Sequence, residues 1–160
     1  MNTKVLKILA NNARCSVEDI ATMTGMSVED VMSDIGELES AGIIRGYKTV
    51  IDWEKLDNAS VSALIELKVI PQEEYGFEKV AETIMKYREV ETVYLMSGSY
   101  DLTVIVKGKT FQEVAMFVAK ELATMHEVTS TATHFVLRRY KELDVELVGE
   151  EQDDRGTYSL

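Results

Sequence analysis

The hydrophobic period changes partway along the chain, and no other feature constrains the fold as strongly. Up to about residue 42, apolar residues recur every three to four positions, the spacing of a helix with one buried face. From Val61 the period is two: Val61, Ala63, Ile65, Leu67 and Val69 alternate with Ser62, Leu64, Glu66 and Lys68. One element cannot serve both periods. The chain therefore needs a helical unit followed by a unit built on a sheet. Residues 52–60 between them are polar and contain the turn-prone pair Asp57 and Asn58. We expect a first domain over 1–52, a linker over 53–60 anchored by Trp53, a second domain over 61–143 and an acidic tail over 144–160.

In the first half, Val5, Leu6, Ile8 and Leu9 mark one helix, ending near Asn11 and Asn12. Ser16 and Ser27 each precede Val-Glu-Asp, which predicts a capped helix start with acids in the first turn. Gly25 lies between the two capped segments and suits a left-handed residue after a helix end. The second helix should face inward with Val17, Ile20, Ala21 and Met23. The third should run to about Ala41 on Val28, Val31, Met32, Ile35 and Leu38, with Gly42 as its stop. Helix, helix, tight glycine turn, helix is the organisation of a helix-turn-helix. Residues 43–52 have β character.

In the second half, Pro71 ends the first strand. Residues 76–88 predict a helix with Phe77, Val80, Ala81, Ile84 and Met85 inward. Residues 90–96 and 101–107 predict a hairpin. Thr110 caps a helix over 111–124 with Phe111, Val114, Phe117, Val118 and Leu122 inward, and residues 129–140 predict the last strand. The order is βαββαβ, the ferredoxin-like arrangement. The fold class is thus α+β: a winged-type helix-turn-helix, then a ferredoxin-like (ACT-like) domain. Met23, Met32, Met85 and Met116 sit on helical apolar faces, and core packing is expected of them.

This organisation resembles the leucine-responsive and asparagine-responsive (Lrp/AsnC, feast-famine) transcriptional regulators. The residues that carry the likeness are Ala13-Arg14, Ile20-Ala21 with Gly25 and Ser27, Leu38-Glu39, Gly42-Ile43-Ile44 and Gly46-Tyr47. In the second half they are Gly98, Tyr100, Asp101 and Leu102, then Thr131, Thr133, Val136 and Leu137. The likeness spans roughly residues 3–143, and its specificity lies in order and spacing rather than in one motif. It implies dimers made by pairing the linker strands and packing the sheets face to face, with further assembly of dimers. It also implies double-stranded DNA as one partner and an amino acid or similar small metabolite, held near the hairpin turn, as another.

The DNA-reading helix departs from what phosphate contact favours. Between Cys15 and Ile44 there is no Lys or Arg, while seven acids fall in that span. Ser27, Glu29, Asp30, Ser33 and Asp34 are the candidate groove-facing positions, with Glu37 beyond them. Carboxylates can accept from cytosine, but they repel phosphate. Arg14, Arg45 and Lys48, outside that helix, are the candidate backbone contacts, with Lys4 and Lys7 behind them. Gly36 costs the helix about 0.8–1 kcal/mol relative to alanine. Two readings stay open: DNA binding carried by cations outside the third helix and aided by multivalency, or a sensor and assembly module that reads no DNA.

The candidate effector site is the turn Ser97, Gly98, Ser99, Tyr100 and Asp101, with Thr131 and Thr133 on the last strand. Backbone N–H groups of such a turn can hold a carboxylate, and Asp101 an α-amino group. The alternative is an ordinary hairpin whose Gly and Ser are turn chemistry.

Composition excludes several classes. A net charge of −11 argues against a protein that coats nucleic acid non-specifically. No apolar run reaches the ~20 residues of a membrane span, and the single cysteine, Cys15, forms no intrachain disulfide. A cytoplasmic location is expected. His126 and His134 lie too far apart for a helical metal pair. No P-loop, dinucleotide fingerprint or nucleophile triad is present. No enzyme activity, cofactor or metal is therefore expected. Some haem-pathway decarboxylases resemble these regulators in fold, but they need cations for a many-carboxylate substrate and a catalytic His, which this acidic chain supplies poorly.

Overall fold

The computed structural model describes residues 2–56, 60–73 and 75–147, and the chain divides into two compact units after Ile51. The first unit holds α1 (Thr3–Asn11), α2 (Val17–Thr24) and α3 (Val28–Ser40). Each helix begins on a side-chain cap: Asn2 accepts from the Lys4 N–H, Ser16 from Asp19 and Ser27 from Asp30. These bonds satisfy backbone donors that a helix start leaves open. Gly25, at φ 72°, closes α2 and makes the turn into α3. Gly42, at φ 68°, follows α3, and the Ile43 N–H reaches back to the Leu38 carbonyl at 2.9 Å. That six-to-one bond is a Schellman closure, which needs a left-handed residue. Val5, Ile20, Ala21 and Val31 form the core, with Ile8, Val17, Ile35 and a half-buried Cys15 packed on it. Cys15 thus fills space like a small apolar residue.

Two expectations for this unit are corrected. Met23 and Met32 are exposed, at 62% and 61%. The seam among three short helices is narrower than the apolar arc of each, and Ile20, Ala21, Val31 and Leu38 fill it. The second correction runs the other way. Asp34, read as groove-facing, is buried at 8% exposure, and both its oxygens accept the Asn2 backbone N–H at 3.1 Å. It ties the start of α1 to the middle of α3. The β character of 43–52 gives no strand among the described residues, because a strand requires a pairing partner that this stretch lacks within the unit.

In the second unit, β1 (Val61–Val69), β2 (Val90–Leu95), β3 (Leu102–Gly108) and β4 (Val128–Phe135) form an antiparallel sheet in the order β2-β3-β1-β4. α4 (Glu78–Ile84) follows β1, and α5 (Phe111–Phe117) follows β3, running on as a π-helical turn over Val118–Leu122. Ala63, Ile65, Leu67, Val104 and Val106 line one face of the sheet. Val80, Ile84, Val114, Phe117 and Leu122 close over them. At about 1.5–3 kcal/mol per fully buried large aliphatic side chain, this cluster is the main stabiliser of the unit. α4 is shorter than expected. Met85, one step beyond Ile84, is 58% exposed, and Met116 is also exposed. Phe111 is exposed as well, its ring set edge-on against Phe135 at 4.9 Å rather than in the core. The last strand ends at Phe135 instead of 140.

Beyond it, β5 (Lys141–Glu142) and β6 (Val145–Glu146) form a small hairpin that crosses the start expected for the acidic tail. Its turn residues, Leu143 and Asp144, have φ of 45° and 65°. Leucine is not a residue that announces such a turn, so the hairpin is silent in the sequence. The expected tail beyond residue 147, and the Asp57–Asn58 turn, lie outside the described residues. In the stretch read as linker, a 3-10 turn over Trp53–Lys55 is capped by Asp52, and the Lys107 ammonium lies over the Trp53 ring at 5.7 Å.

Two glycines separate the stabilities of the two units. A Cβ on Gly36 would meet nothing within 4 Å, whereas on Gly108 it would meet Val114 Cγ2 at 2.8 Å. Gly36→Ala should stabilise the first unit by about 1 kcal/mol, and Gly108→Ala should destabilise the second by about 1–3 kcal/mol. Urea unfolding of the full chain measures both, and a Gly36→Ala chain no more stable than the parent would refute the first.

Candidate functional site

Two candidate sites lie in separate units. In the first, the exposed surface of α3 carries Glu29, Asp30, Met32, Ser33 and Glu37. Ser27 is exposed too, with its hydroxyl oxygen engaged by the Asp30 N–H at 3.1 Å. Glu39 is occupied: the Tyr47 hydroxyl donates to its Oε1 at 2.9 Å. Partial burial, and after it the Glu39 carboxylate, raise the Tyr47 phenol above its ordinary value, so the hydroxyl remains a donor at neutral pH. The open surface of α3 thus offers acceptors, one serine hydroxyl and a methionine. In a major groove it suits cytosine or adenine amino groups, and Met32 suits a thymine methyl.

Arg14, Arg45 and Lys48 are exposed and have no ion pair among the described residues. Arg14 is positioned by its N–H on Asn12 Oδ1 at 3.0 Å. The Arg45 guanidinium lies close beneath Gly42. Seven of the expected eight positions, Ser27, Glu29, Asp30, Ser33, Arg14, Arg45 and Lys48, are therefore on the unit's surface, while Asp34 is not. Met32, which the helical period assigned to the core, is exposed beside them.

The second site is the turn between β2 and β3. Ser97, Gly98 and Ser99 are exposed, Tyr100 and Asp101 are partly buried, and Gly98 sits at φ 149°, where a side chain is disfavoured. The Asp101 N–H donates to the Leu67 carbonyl at 2.9 Å, and its own carbonyl accepts from Met96 at 2.8 Å. Asp101 Oδ2 accepts the Val69 N–H at 2.8 Å. A carboxylate oxygen thereby supplies the next rung of the β1–β3 ladder. Oδ1 faces the Lys68 ammonium at 3.5 Å, and that ammonium also donates to the Ser99 carbonyl at 3.1 Å. Lys68 was not among the expected site residues. Its alternation marks only a solvent-facing strand position, and the β1–β3 register, with Leu67 opposite Leu102, sets it beside the turn.

The two threonines do not join this cluster. Thr131 pairs with Leu67 and Thr133 with Ile65, so both stand on the helix-covered side of the sheet. β1 separates them from β3, about 10 Å away at the usual strand spacing. His134 Nε2 lies 3.0 Å from Glu66 Oε2 across the β1–β4 pair, which accounts for it as a sheet residue. No group of three or more metal-ligating side chains occurs among the described residues. None of their helices is long and apolar enough to cross a membrane. An open cavity of about 750 Å³ lies at the opposite end of the sheet, between Arg88, Lys107 and Lys109. Arg88 is paired there with Glu89, and Lys107 with Glu91.

Known proteins share both units. Residues 62–145 match the Lrp/AsnC ligand binding domain, and residues 2–45 match a winged helix-turn-helix DNA-binding domain. The chain is 46% identical over 140 residues to YugG of Bacillus subtilis, an uncharacterised HTH-type transcriptional regulator, covering 87% of this chain and 84% of that one. It is 30% identical over 142 residues to the HTH-type transcriptional regulator FL11 of Pyrococcus horikoshii, covering 89% and 91%. The crystal structure of the transcriptional regulator NMB0573 of Neisseria meningitidis, a complex with L-methionine, superposes with a TM-score of 0.70 at 23% identity over 87% of this chain and 89% of that one. These relatives are regulators and not enzymes. With a DNA-binding helix-turn-helix before a ligand-binding βαββαβ domain, the chain is a transcriptional regulator belonging to the Lrp/AsnC family.

Proposed function

We propose that this regulator works in the cytoplasm as a homodimer or larger homo-oligomer, binds double-stranded DNA through its first unit and takes an amino acid or related small metabolite at the 97–101 turn. The observation that carries the reading is the turn itself. It places opposite charges, Lys68 and Asp101, beside an exposed glycine in a domain of the family's ligand-binding type. A solved relative with L-methionine bound supports an amino acid as the ligand class. Exposed apolar groups support assembly: Tyr94, Leu95 and Met96 lie along and beyond edge strand β2, and Ile43 and Ile51 lie in the unpaired stretch after α3.

One observation favours a second reading, a metabolite sensor that does not bind DNA. The open surface of α3 carries Glu29, Asp30 and Glu37 and no cation. On the DNA-binding reading, affinity comes from Arg14, Arg45 and Lys48, each contact weak, summed over the copies in an oligomer.

Selection of genomic fragments by the purified protein at low salt, with and without mixed amino acids, separates the two readings. The expected result is a two-fold symmetric site whose half-sites lie a whole number of helical turns apart. Amino-acid binding without any enriched fragment would leave the sensor reading. On an enriched site, log K should fall by about 0.9 per phosphate contacted against log salt, and a flat response would exclude cation-carried binding. Light scattering should give at least twice the 18.0 kDa chain mass, and a monomer mass would defeat the oligomer.

A further inference from the structure

The 97–101 turn holds a loose ion pair at its mouth, and the two partners are committed to different degrees. Asp101 Oδ2 is fixed to the Val69 N–H at 2.8 Å as part of the sheet ladder. Among the described residues its Oδ1 has only the Lys68 ammonium, at 3.5 Å, well beyond the 2.7–2.9 Å of a strong charge-assisted hydrogen bond. The Lys68 ammonium leans on the Ser99 carbonyl and is half exposed, with 47% of the side chain open to solvent against 21% for Asp101. An exposed pair at this distance contributes little to stability. It can be opened at small cost by a ligand offering a better partner to each member.

We propose that Lys68 is the group that receives the effector's carboxylate, and that a zwitterionic α-amino acid inserts between Lys68 and Asp101. This rests on the reading of the 97–101 turn as the effector turn. The carboxylate takes the Lys68 ammonium, and the α-ammonium takes the freed Asp101 Oδ1, while Oδ2 stays on the Val69 N–H. One loose ion pair becomes two closer ones. The ladder bond keeps Asp101 in place while its other oxygen changes partner. The arrangement selects for both charges of an α-amino acid at once: an amine lacks the group for Lys68, and a keto acid lacks the group for Asp101. The β1–β3 register, with Leu67 opposite Leu102, places the lysine beside Asp101, so Lys68 is a specificity-determining residue of the site.

The test uses the full chain. L-methionine and the rest of the proteinogenic L-amino acids are screened by thermal shift, and each binder is titrated calorimetrically beside its carboxamide. The expected result is that Lys68→Met weakens the free acid by roughly tenfold or more, the loss of one charge-assisted contact. Lys68→Arg should retain most of the affinity. The carboxamide should bind the parent as weakly as the free acid binds Lys68→Met, with no further loss on combining the two. Should Lys68→Met fold poorly, Lys68→Gln and the acid-against-carboxamide comparison on the parent give the same readout. Equal affinity of parent and Lys68→Met for the free acid, or of the parent for acid and carboxamide, would overturn the assignment while leaving the effector turn in place. A parent chain that binds none of the amino acids would overturn both.

Discussion

The second unit depends on β1 being paired on both sides. It lies between β3 and β4, with its odd-numbered residues under the helices and its even-numbered residues on the other side of the sheet. A slip of one residue would send Ala63, Ile65, Leu67 and Val69 to the wrong side and place Glu66 and Lys68 in the core. Register is therefore fixed by burial, and everything at the ends of the strands inherits it. Asp101 meets Val69 only because Leu67 pairs with Leu102. Lys68 faces the turn for the same reason, one residue past the Leu67–Leu102 pair. The 97–101 turn is thus less a loop with its own structure than the end of a ladder, completed by a carboxylate.

How far the sequence revealed this depended on whether a feature was local. The serine caps at Ser16 and Ser27, the left-handed Gly25 and Gly42, and the two-residue period of β1 are set by a few neighbouring residues, and each formed as its pattern implied. What stayed hidden required knowing which groups meet across the chain. Asp34 on a helical wheel is a polar residue to be turned outward, and its burial needs partners from elsewhere in the chain, the Asn2 N–H among them. Met23 and Met32 satisfy the helical period but exceed the width of the seam. Lys68 is one of four alternating residues until the turn is folded against it. The turn itself was legible from Gly98 and Asp101, while the separation of Thr131 and Thr133 from it needed the strand order.

The electrostatics of the first unit set its character. Opposite charges pair at the turn, whereas among the described residues Glu29, Asp30 and Glu37 of α3 have no ion-pair partner, and each faces water at high dielectric. Coulomb repulsion there falls to about 1 kcal/mol at 4 Å. The fold tolerates this easily because the caps put Asp19 and Asp30 at helix starts, where backbone N–H groups welcome negative charge. The cost falls on approach to another polyanion. Salt lowers that cost by screening and also weakens the cations that would offset it. The balance between acidic α3 and the flanking Arg14, Arg45 and Lys48 therefore responds to ionic strength through two opposing effects.

The hydrogen bond from Tyr47 to Glu39 also bears on how the chain leaves its DNA-binding head. It adds one contact with a charged acceptor, about 1.5–3 kcal/mol when intact, to the backbone bonds that hold Ile43 and Ile44 to the Leu38 carbonyl. At the lower figure roughly a tenth of the molecules have released it at any moment. The bond is then a latch rather than a weld, open to water because both side chains are exposed.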